Sequence, residues 1–309
     1  MTLFVLRRGA GAVGTFLAST VLVFFITFAL PGDPARAIAG HRQVPESTLS
    51  AIRARYGLNQ PLWEQYIGWL GRLLRGDLGE SFVARRPVTE MMQEALPVTL
   101  TLVALTVAIE VVLGLIIGAG AARRRGKRSD NAVLAACTVG LSVPLFVVGA
   151  LAQDTFGIDL GWLPVAGIRN GIISYLLPAL TLALPGLAIA VRLVRAEAIT
   201  QLGAPHTRTA RAKGISESAV LRRHVVRNSS VPFVSFVGLE IGALVGGAIV
   251  VERVFNLPGV GRAIAQAISQ RDNATIIGFT MAIIAVYLAV DLVADLAMIA
   301  LDPRIERMS

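Results

Sequence analysis

The chain has 309 residues, of which 54% are hydrophobic and only 16% are charged. A soluble domain carries about 25% charged residues, so this composition excludes an ordinary soluble protein and indicates a membrane protein. The net charge of +9 does not by itself indicate nucleic-acid binding, because the cytoplasmic loops of membrane proteins are also rich in Lys and Arg.

Six apolar segments are long enough to cross a bilayer as helices, which takes about 20 residues each. They lie at about 9–30, 95–122, 131–153, 172–194, 231–251 and 273–299. The first follows Arg7 and Arg8 as a signal peptide would, but it is longer than the apolar core of about 7–15 residues that a signal peptide has. We therefore predict an uncleaved first helix and an all-α integral membrane protein with six transmembrane helices.

The positions of Lys and Arg predict the orientation of these helices. If the N-terminus is cytoplasmic, the basic segments 123–128 and 195–230 are cytoplasmic as well, and the short outer loops hold few basic residues. The long loop 31–94 is then extracytoplasmic, and its length exempts it from the rule. We predict that both termini are cytoplasmic, that residues 1–94 form a helix and an outer loop, and that residues 95–302 form a transmembrane domain with a cytoplasmic loop at 195–230.

The long outer loop contains a predicted amphipathic helix that starts at Pro61, with Asn59 as its N-cap. Apolar residues recur along it at helical spacing, namely Leu62, Tyr66, Trp69, Leu70, Leu73 and Leu74. Such a helix either packs on the outer face of the bundle or lies against the membrane or another protein, and the sequence favours the first alternative without excluding the second.

Charged residues inside membrane helices cost about 2.5–3.5 kcal/mol each, so each one invites a functional hypothesis. Glu110 lies in the second predicted helix, and the charges singled out here are Arg192, Glu240, Asp291 and Asp295, in the other helices or at their ends. They predict pairing within the bundle or at a subunit interface. A proton relay through the three carboxylates is the alternative.

Glycines in two segments predict close contact between helices. Gly238, Gly242 and Gly246 recur every four residues in the fifth segment, and Gly114 and Gly118 do so in the second. Small residues at this spacing let two helix backbones approach each other. We therefore predict helix packing or a subunit interface at these positions.

No motif in the sequence indicates catalysis. A phosphate-binding loop of the form G-x-x-x-x-G-K-[ST] is absent, and the three His are not spaced as metal ligands. The stretch “PGVGR”, with Pro258, Gly259 and Gly261, lacks the rest of a nucleotide fingerprint and predicts a turn that leads into a helix. We therefore expect no catalytic site, no metal site and no ATP hydrolysis in this chain.

The cytoplasmic segment “TARAKGISESAVLRRHVVRNSSVP”, residues 209–232, interrupts the apolar chain with ordered start and stop signals. Arg208 to Lys213 is compatible with a short helix, Gly214 can end it in the left-handed conformation, and Ser216 can cap a second helix. Pro232 then marks the entry to the fifth transmembrane helix. A solvated basic loop explains the charge but not these signals, so we predict a projecting element that docks a cytoplasmic partner.

The segment “RTARAKGISESAVLRRHVVRNSSVP” resembles the EAA loop of the permease subunits of dipeptide and oligopeptide ABC importers. The stretches “ALPGDPA”, “YGLNQPLWEQYIGWLGRLLRGDLGESF”, “VERVFNLPGVGRAI” and “LDPRI” are also similar to that family, so the resemblance covers nearly the whole chain in order. The long loop after the first helix is typical of the first of the two permeases. Where the general pattern has Glu-Ala-Ala, this chain has Arg208-Thr209-Ala210.

The resemblance implies a type I ABC importer permease fold in the bacterial cytoplasmic membrane, surrounded by lipid and without a nucleic-acid partner. It implies four partner chains: a second permease, two cytoplasmic subunits that bind ATP and Mg, and an extracytoplasmic binding protein that delivers a dipeptide or oligopeptide. Nickel, haem or another small solute is the alternative cargo. No cofactor is expected in this chain itself.

The resemblance also assigns residues. It places the ATPase-coupling loop at Thr209, Ala210, Arg211, Ala212, Lys213 and Gly214, with Ser216 beside it, and an outer-side family motif at Pro258, Gly259 and Gly261. From the residues alone, the rival function is an ion-coupled secondary transporter or channel that uses Glu240, Asp291 and Asp295.

Overall fold

The computed structural model describes residues 2–29, 34–39, 44–55 and 57–301, which are almost entirely helical. The α-helices are α1 Thr2–Ala29, α2 Pro34–Ala39, α3 Glu46–Arg55, α4 Leu62–Leu73, α5 Val88–Arg123, α6 Arg128–Ser142, α7 Leu145–Ala152, α8 Leu176–Gly203, α9 Pro205–Ala212, α10 Glu217–Val220, α11 Arg227–Val254, α12 Val260–Gln270 and α13 Asn273–Leu301. The remaining elements are the strands β1 Glu80–Ser81 and β2 Arg86–Pro87, π-helical turns at Gln153–Asp159 and Leu221–Val226, and a 3₁₀ turn at Gly171–Tyr175.

Four helical stretches of the described chain are long and apolar enough to cross a membrane. They are Arg7–Thr27, Val88–Arg123, Gly171–Gly203 and Asn273–Val293, and the bent pair α6–α7 with its π-helical end makes a fifth if it counts as one span. The remaining predicted segment, 231–251, coincides with α11, which has 28 residues. The all-α membrane architecture is therefore confirmed, and the count of six spans stays a prediction.

The third predicted helix, 131–153, is not one straight helix. It breaks between α6 and α7, whose axes differ by 105°. Val143 is extended, with φ −90° and ψ 128°, and Pro144 follows it. Because a proline disfavours the helical conformation in the residue before it, the dipeptide Val143-Pro144 ends α6 and starts α7.

The described residues divide into two compact units that do not follow the order of the chain. One contains the residues up to Val98 together with Pro258–Leu292, and the other contains Thr99–Leu257 and the residues from Val293 onward. The sequence-based division at 94/95 stays a prediction, and these units group the residues differently.

Helix α8 is the centre of the second unit. Its buried residues contact three neighbouring helices: Ala188 and Val191 pack with Cys137 of α6, and Ala190 and Val194 pack with Phe233 of α11 and with residues of α5. In its apolar stretch 56% of the residues are buried, against 28% in the stretch of α5. α8 is thus the element against which the others in this unit are positioned.

In the first unit, the predicted amphipathic helix is α4, and it packs on the unit's own helices. Tyr66 and Trp69 contact Phe24 of α1 and lie in one cluster with Ile277 and Met281 of α13. The packing of α4 on the protein's own helices agrees with the favoured alternative, and the location of this surface on the outer side stays a prediction. The predicted cap is wrong: Pro61 itself precedes the first helical residue and its carbonyl accepts the Glu64 N–H at 3.0 Å.

A second contact in this unit joins the β1–β2 hairpin to the start of α13. The buried Asp272 accepts a hydrogen bond from the Ser81 hydroxyl at 2.5 Å and another from the Thr275 hydroxyl at 2.7 Å. An Asp immediately before a helix is a favoured N-cap because its oxygen can satisfy unpaired groups at the helix start. Asp272 therefore caps α13 and holds the hairpin against it.

Candidate functional site

The predicted cytoplasmic element forms two short helices separated by a glycine turn. α9 ends at Ala212, and Gly214, two residues further on, has a φ of +77°. The Gly214 N–H donates to the Arg211 carbonyl at 2.9 Å, and the Ile215 N–H donates to the Ala210 carbonyl at 3.2 Å. This pair of bonds is the Schellman arrangement, in which a left-handed glycine satisfies the last carbonyls of a helix. The predicted helix end at Gly214 is confirmed.

Two boundaries of this element differ from the prediction. α9 begins at Pro205 and not at Arg208, because proline suits the first position of a helix. The chain after α10 continues through a π-helical turn into α11, which begins at Arg227, so Pro232 lies inside that helix and does not mark its start. Val225, in the turn ahead of the proline, is fully buried, and helices in proteins owe most of their stability to such tertiary packing.

One face of the element is anchored to the ends of two long helices. Ala210 of α9 is buried in a cluster with Ala122 of α5 and Ala198 of α8. The Thr207 hydroxyl, also buried, donates to the Gln201 carbonyl at 2.7 Å. The element is therefore a packed extension of α5 and α8, held in place by Ala210, and the predicted contact of Ala210 with a partner stays a prediction.

The opposite face of the element is exposed. Its members are Arg208, Thr209, Arg211, Ala212, Lys213, Gly214 and Ser216. Arg211 donates to Glu217 at 2.6 Å across the glycine turn. This hydrogen bond lowers the pKa of the Glu217 carboxyl, with a smaller contribution from the charge of Arg123. Exposed ion pairs stabilise a protein only slightly, so the pair orders the turn more than it strengthens the fold.

Ala122 and Ala198, on which α9 packs, lie at the end of a regular contact between α5 and α8. A Cβ on Gly114 would lie 3.0 Å from the Ala190 Cβ, and a Cβ on Gly118 would lie 2.8 Å from the Val194 Cβ. The predicted close approach at Gly114 and Gly118 is confirmed. Each step of four residues on one helix matches a step of four on the other, so α5 and α8 run in the same direction. One further step leads to Ala122 and Ala198, the two residues on which α9 packs.

A basic turn follows α5 at the same end. Arg123, Arg124, Arg125, Lys127 and Arg128 are all exposed. Asp130 holds this turn to α8: it accepts from Arg195 at 2.6 and 2.7 Å and from the Gly126 N–H at 2.9 Å. The ends of α5, α6 and α8 and the cytoplasmic element thus form one basic region.

The glycines predicted to form a packing face on the fifth helix differ in their burial and in the space around them. A Cβ on Gly246 would meet nothing within 4 Å, whereas a Cβ on the neighbouring Gly247 would lie 2.8 Å from Leu182 Cδ1 of α8. Gly238 and Gly242 are half-buried. Within this chain the close approach of α11 to α8 uses Gly247, and Gly246 leaves an open face on α11.

The structure describes the side chains of three of the four predicted intramembrane charges. Arg192 donates to the Thr138 hydroxyl at 2.6 Å, and Asp291 is half-buried on α13. Glu240 of α11 lies 2.8 Å from the point that a Cβ on Gly186 would occupy. The side chain of Asp295 falls outside the described residues.

The outer-side motif forms the predicted turn into a helix. Gly259 is extended, with φ −96° and ψ −179°, and caps α12, where its carbonyl accepts the Ala263 N–H at 3.1 Å. Gly259 and Gly261 are buried, and Pro258 is exposed. These positions give the motif a structural role at the start of α12.

Two carboxylates that the sequence interpretation did not select are fully buried. Glu252 accepts the Thr99 hydroxyl at 2.5 Å, and its backbone carbonyl accepts the Leu257 N–H at 2.8 Å. Glu110 of α5 faces Gly186 of α8. The signal that could have found Glu110 is a single Glu within a long apolar run, whereas Glu252 stands beside Arg253 at the end of its run and lacks that signal.

Comparisons with known proteins agree over the whole chain. Residues 1–103 match the family described as “Binding-prot-dependent transport system membrane comp, N-term”, and residues 110–307 match the one described as “Binding-protein-dependent transport system inner membrane component”. The chain is similar to the glutathione transport system permease protein GsiC of Salmonella typhi, at 37% identity over 98% of both chains. It is similarly related to GsiC of Escherichia coli (strain K12), at 36% identity over the same shares.

Two solved structures share the fold. An inward-facing MetNI methionine ABC transporter aligns with a TM-score of 0.55 and 16% identity, over 68% of this chain and 96% of its own. An amino acid ABC transporter with histidines aligns with a TM-score of 0.51 and 20% identity, over 70% of this chain and 94% of its own. At such identities the likeness concerns the fold alone.

Proposed function

Because the chain belongs to the family of binding-protein-dependent transport system inner membrane components, we propose that α9, Gly214 and α10 form the contact through which ATP-binding subunits drive it. The chain is a permease subunit of an ABC importer in the bacterial inner membrane. It is not catalytic, since ATP hydrolysis in such importers is carried out by separate subunits.

The observation that carries the proposal is the position of α9 at the end of the α5–α8 contact. Its buried face, at Ala210, packs on Ala122 and Ala198, and its opposite face is exposed. An element that is fixed to two long helices and exposed to a partner can pass a displacement from the partner to the helices. A solvated loop could not do so, because it would move without moving α5 and α8.

The proposed mechanism needs a packed connection and not a flexible one. Closely packed helices move as bodies because their interiors cannot deform continuously. When the ATP-binding subunits close, they would displace α9, and α5 and α8 would follow because Gly114 and Gly118 leave no gap between them. We propose that this displacement opens the pathway outward, and that release of the ATP products returns it inward.

The orientation belongs to the same proposal. We propose six transmembrane helices in a type I ABC importer permease fold with both termini in the cytoplasm. Support comes from α5 and α8, which run in the same direction, so that their C-terminal ends lie on one side together with α9 and the basic turn 123–128. Basic segments flank membrane helices preferentially on the cytoplasmic side.

We propose that a second permease, two ATP-binding subunits and an extracytoplasmic binding protein complete the importer, and that the cargo is a dipeptide or oligopeptide. The relatives that are named for glutathione transport support a peptide-type cargo. Nickel, haem or another small solute remains the alternative cargo, because the binding protein would select it.

The coupling role can be tested with Gly214→Asp in the purified, reconstituted importer. The variant should insert and assemble with its partners, but it should lose uptake and the stimulation of ATP hydrolysis by loaded binding protein. Gly126→Asp is the matched control: Gly126 also has a φ of +77°, lies in open space and belongs to the same basic region. The proposal fails if Gly214→Asp couples normally, or if both variants lose coupling equally.

A further inference from the structure

Two carboxyl groups from different helices face the same glycine in the second unit. Glu110 of α5 and Glu240 of α11 both point to Gly186 of α8, where an added Cβ would collide with the Glu110 carboxyl and lie 2.8 Å from Glu240 Oε1. Glu110 is fully buried, and neither of its carboxyl oxygens has a hydrogen-bond partner among the described residues. Glu240 is half-buried. A buried polar group without a partner requires a proton, a water or an ion to account for it.

The described cations of these helices are directed elsewhere. Arg192 of α8 donates to Thr138, and Arg195 donates to Asp130, both on α6. Arg123 and Arg253 are exposed near the ends of α5 and α11. Two other carboxylates of α8 and α11 are also engaged elsewhere, since Glu197 accepts from Gln201 and Glu252 accepts from Thr99. No described positive charge therefore compensates Glu110 and Glu240.

Two ionised carboxylates at this point would be strongly unfavourable. Each would lose hydration without gaining a counter-charge, and the two would repel each other in a medium of low dielectric constant. Carboxyl pairs in proteins resolve such a conflict by holding one proton between them. The proton converts one carboxylate into a donor, and the other then has a partner.

We propose that Glu110 and Glu240 form a proton-binding site, in which Glu110 carries the proton and donates its O–H to the Glu240 carboxylate. The hydrogen bond would link α5 to α11 across Gly186, directly or through one water. Gly186 is required because any larger residue would occupy the space of the two carboxyl groups. The site belongs to the α5–α8 contact that ends at Ala122 and Ala198, but the proposal does not depend on the coupling role of α9.

Infrared spectroscopy of the reconstituted importer at neutral pH tests the site, because a protonated carboxyl has a C=O band distinct from that of a carboxylate. The wild-type complex should show such a band, Glu110→Gln should lose it, and Glu240→Gln should keep it at a shifted position. Asp291→Asn, which alters another half-buried carboxyl, should leave it unchanged. A band that persists unaltered in Glu110→Gln, or that is lost only in Asp291→Asn, would overturn the proposal.

A second measurement covers the case in which Glu110→Gln does not assemble. A proton held only in the folded state makes stability fall as the pH rises through the value at which that proton leaves. Thermal unfolding of the wild-type complex should therefore shift to lower temperature as the pH is raised from the mildly acidic range, where an unfolded Glu has already lost its proton. The double variant Glu110→Gln, Glu240→Gln should show a smaller shift, because two amides can hydrogen-bond without the proton. Equal shifts in both proteins would contradict the site.

Discussion

Gly118 of α5 lies so close to Val194 of α8 that a Cβ on residue 118 would stand 2.8 Å from the Val194 Cβ and 2.9 Å from the Val191 carbonyl oxygen. The neighbouring contact of Gly114 with Ala190 repeats this approach one turn earlier. α9 packs on Ala122 and Ala198, one further step along the same helix contact. The account of coupling therefore depends on this helix contact being tight.

Gly118→Ala should weaken the assembled importer, because the added methyl group has no space unless α5 and α8 separate. Overpacking of this kind costs about 1–3 kcal/mol. Gly120→Ala is the matched control on the same helix, since nothing lies within 4 Å of its Cβ position, and Ala is the better helix former. Thermal unfolding of the purified complexes compares them, and equal unfolding temperatures would contradict the tight contact.

Asp130→Ala should destabilise the permease more than Glu217→Ala does. Asp130 is 1% exposed and pairs with Arg195, so its loss leaves a partly buried guanidinium without a partner. Glu217 is 54% exposed in its pair with Arg211, and such surface pairs contribute little. Unfolding of the two variants in the same lipid or detergent measures the difference. A larger loss in Glu217→Ala would refute this ranking.

Single cysteines in a Cys137→Ala background test the proposed orientation. Cysteines at Arg125 and Lys213 should resist a membrane-impermeant thiol reagent on intact cells, and cysteines at Glu64 and Pro258 should react. All four positions are exposed or half-buried, which Gly259 is not. Labelling at 213 together with protection at 64 would contradict the proposed orientation and indicate the opposite one.

The energy source for uptake by the Glu240→Gln variant distinguishes an ATP-driven importer from an ion-coupled transporter. Uptake by the variant should still require ATP and should not respond to an uncoupler while ATP is maintained, because the proton at Glu110 and Glu240 is structural. Wild-type vesicles treated in the same way provide the control. Proton-driven uptake without ATP would favour the rival class.

Local signals in the sequence predicted local features well. The left-handed turn at Gly214 follows from the single glycine between two polar helical stretches, and the approach at Gly114 and Gly118 follows from their spacing. The break at Val143-Pro144 was missed, although the proline is visible, because the apolar run on both sides suggested one continuous helix.

Features that depend on how helices are rotated against one another could not be predicted. Glu110 and Glu240 are far apart in sequence, and only the packing of α5 and α11 on Gly186 brings their carboxyl groups to one point. The burial of Ala210 likewise depends on the ends of α5 and α8. A single sequence shows spacing along a helix but not which face meets which neighbour.

The most direct test of the coupling account is photo-crosslinking from residue 212 in the purified importer. Ala212 is exposed at the end of α9, so a photoreactive amino acid there should not disturb the buried face at Ala210. We predict a covalent adduct with an ATP-binding subunit, and none from the same probe at the exposed Val139 of α6. Absence of an ATPase adduct from residue 212 in an importer that transports normally would contradict the account.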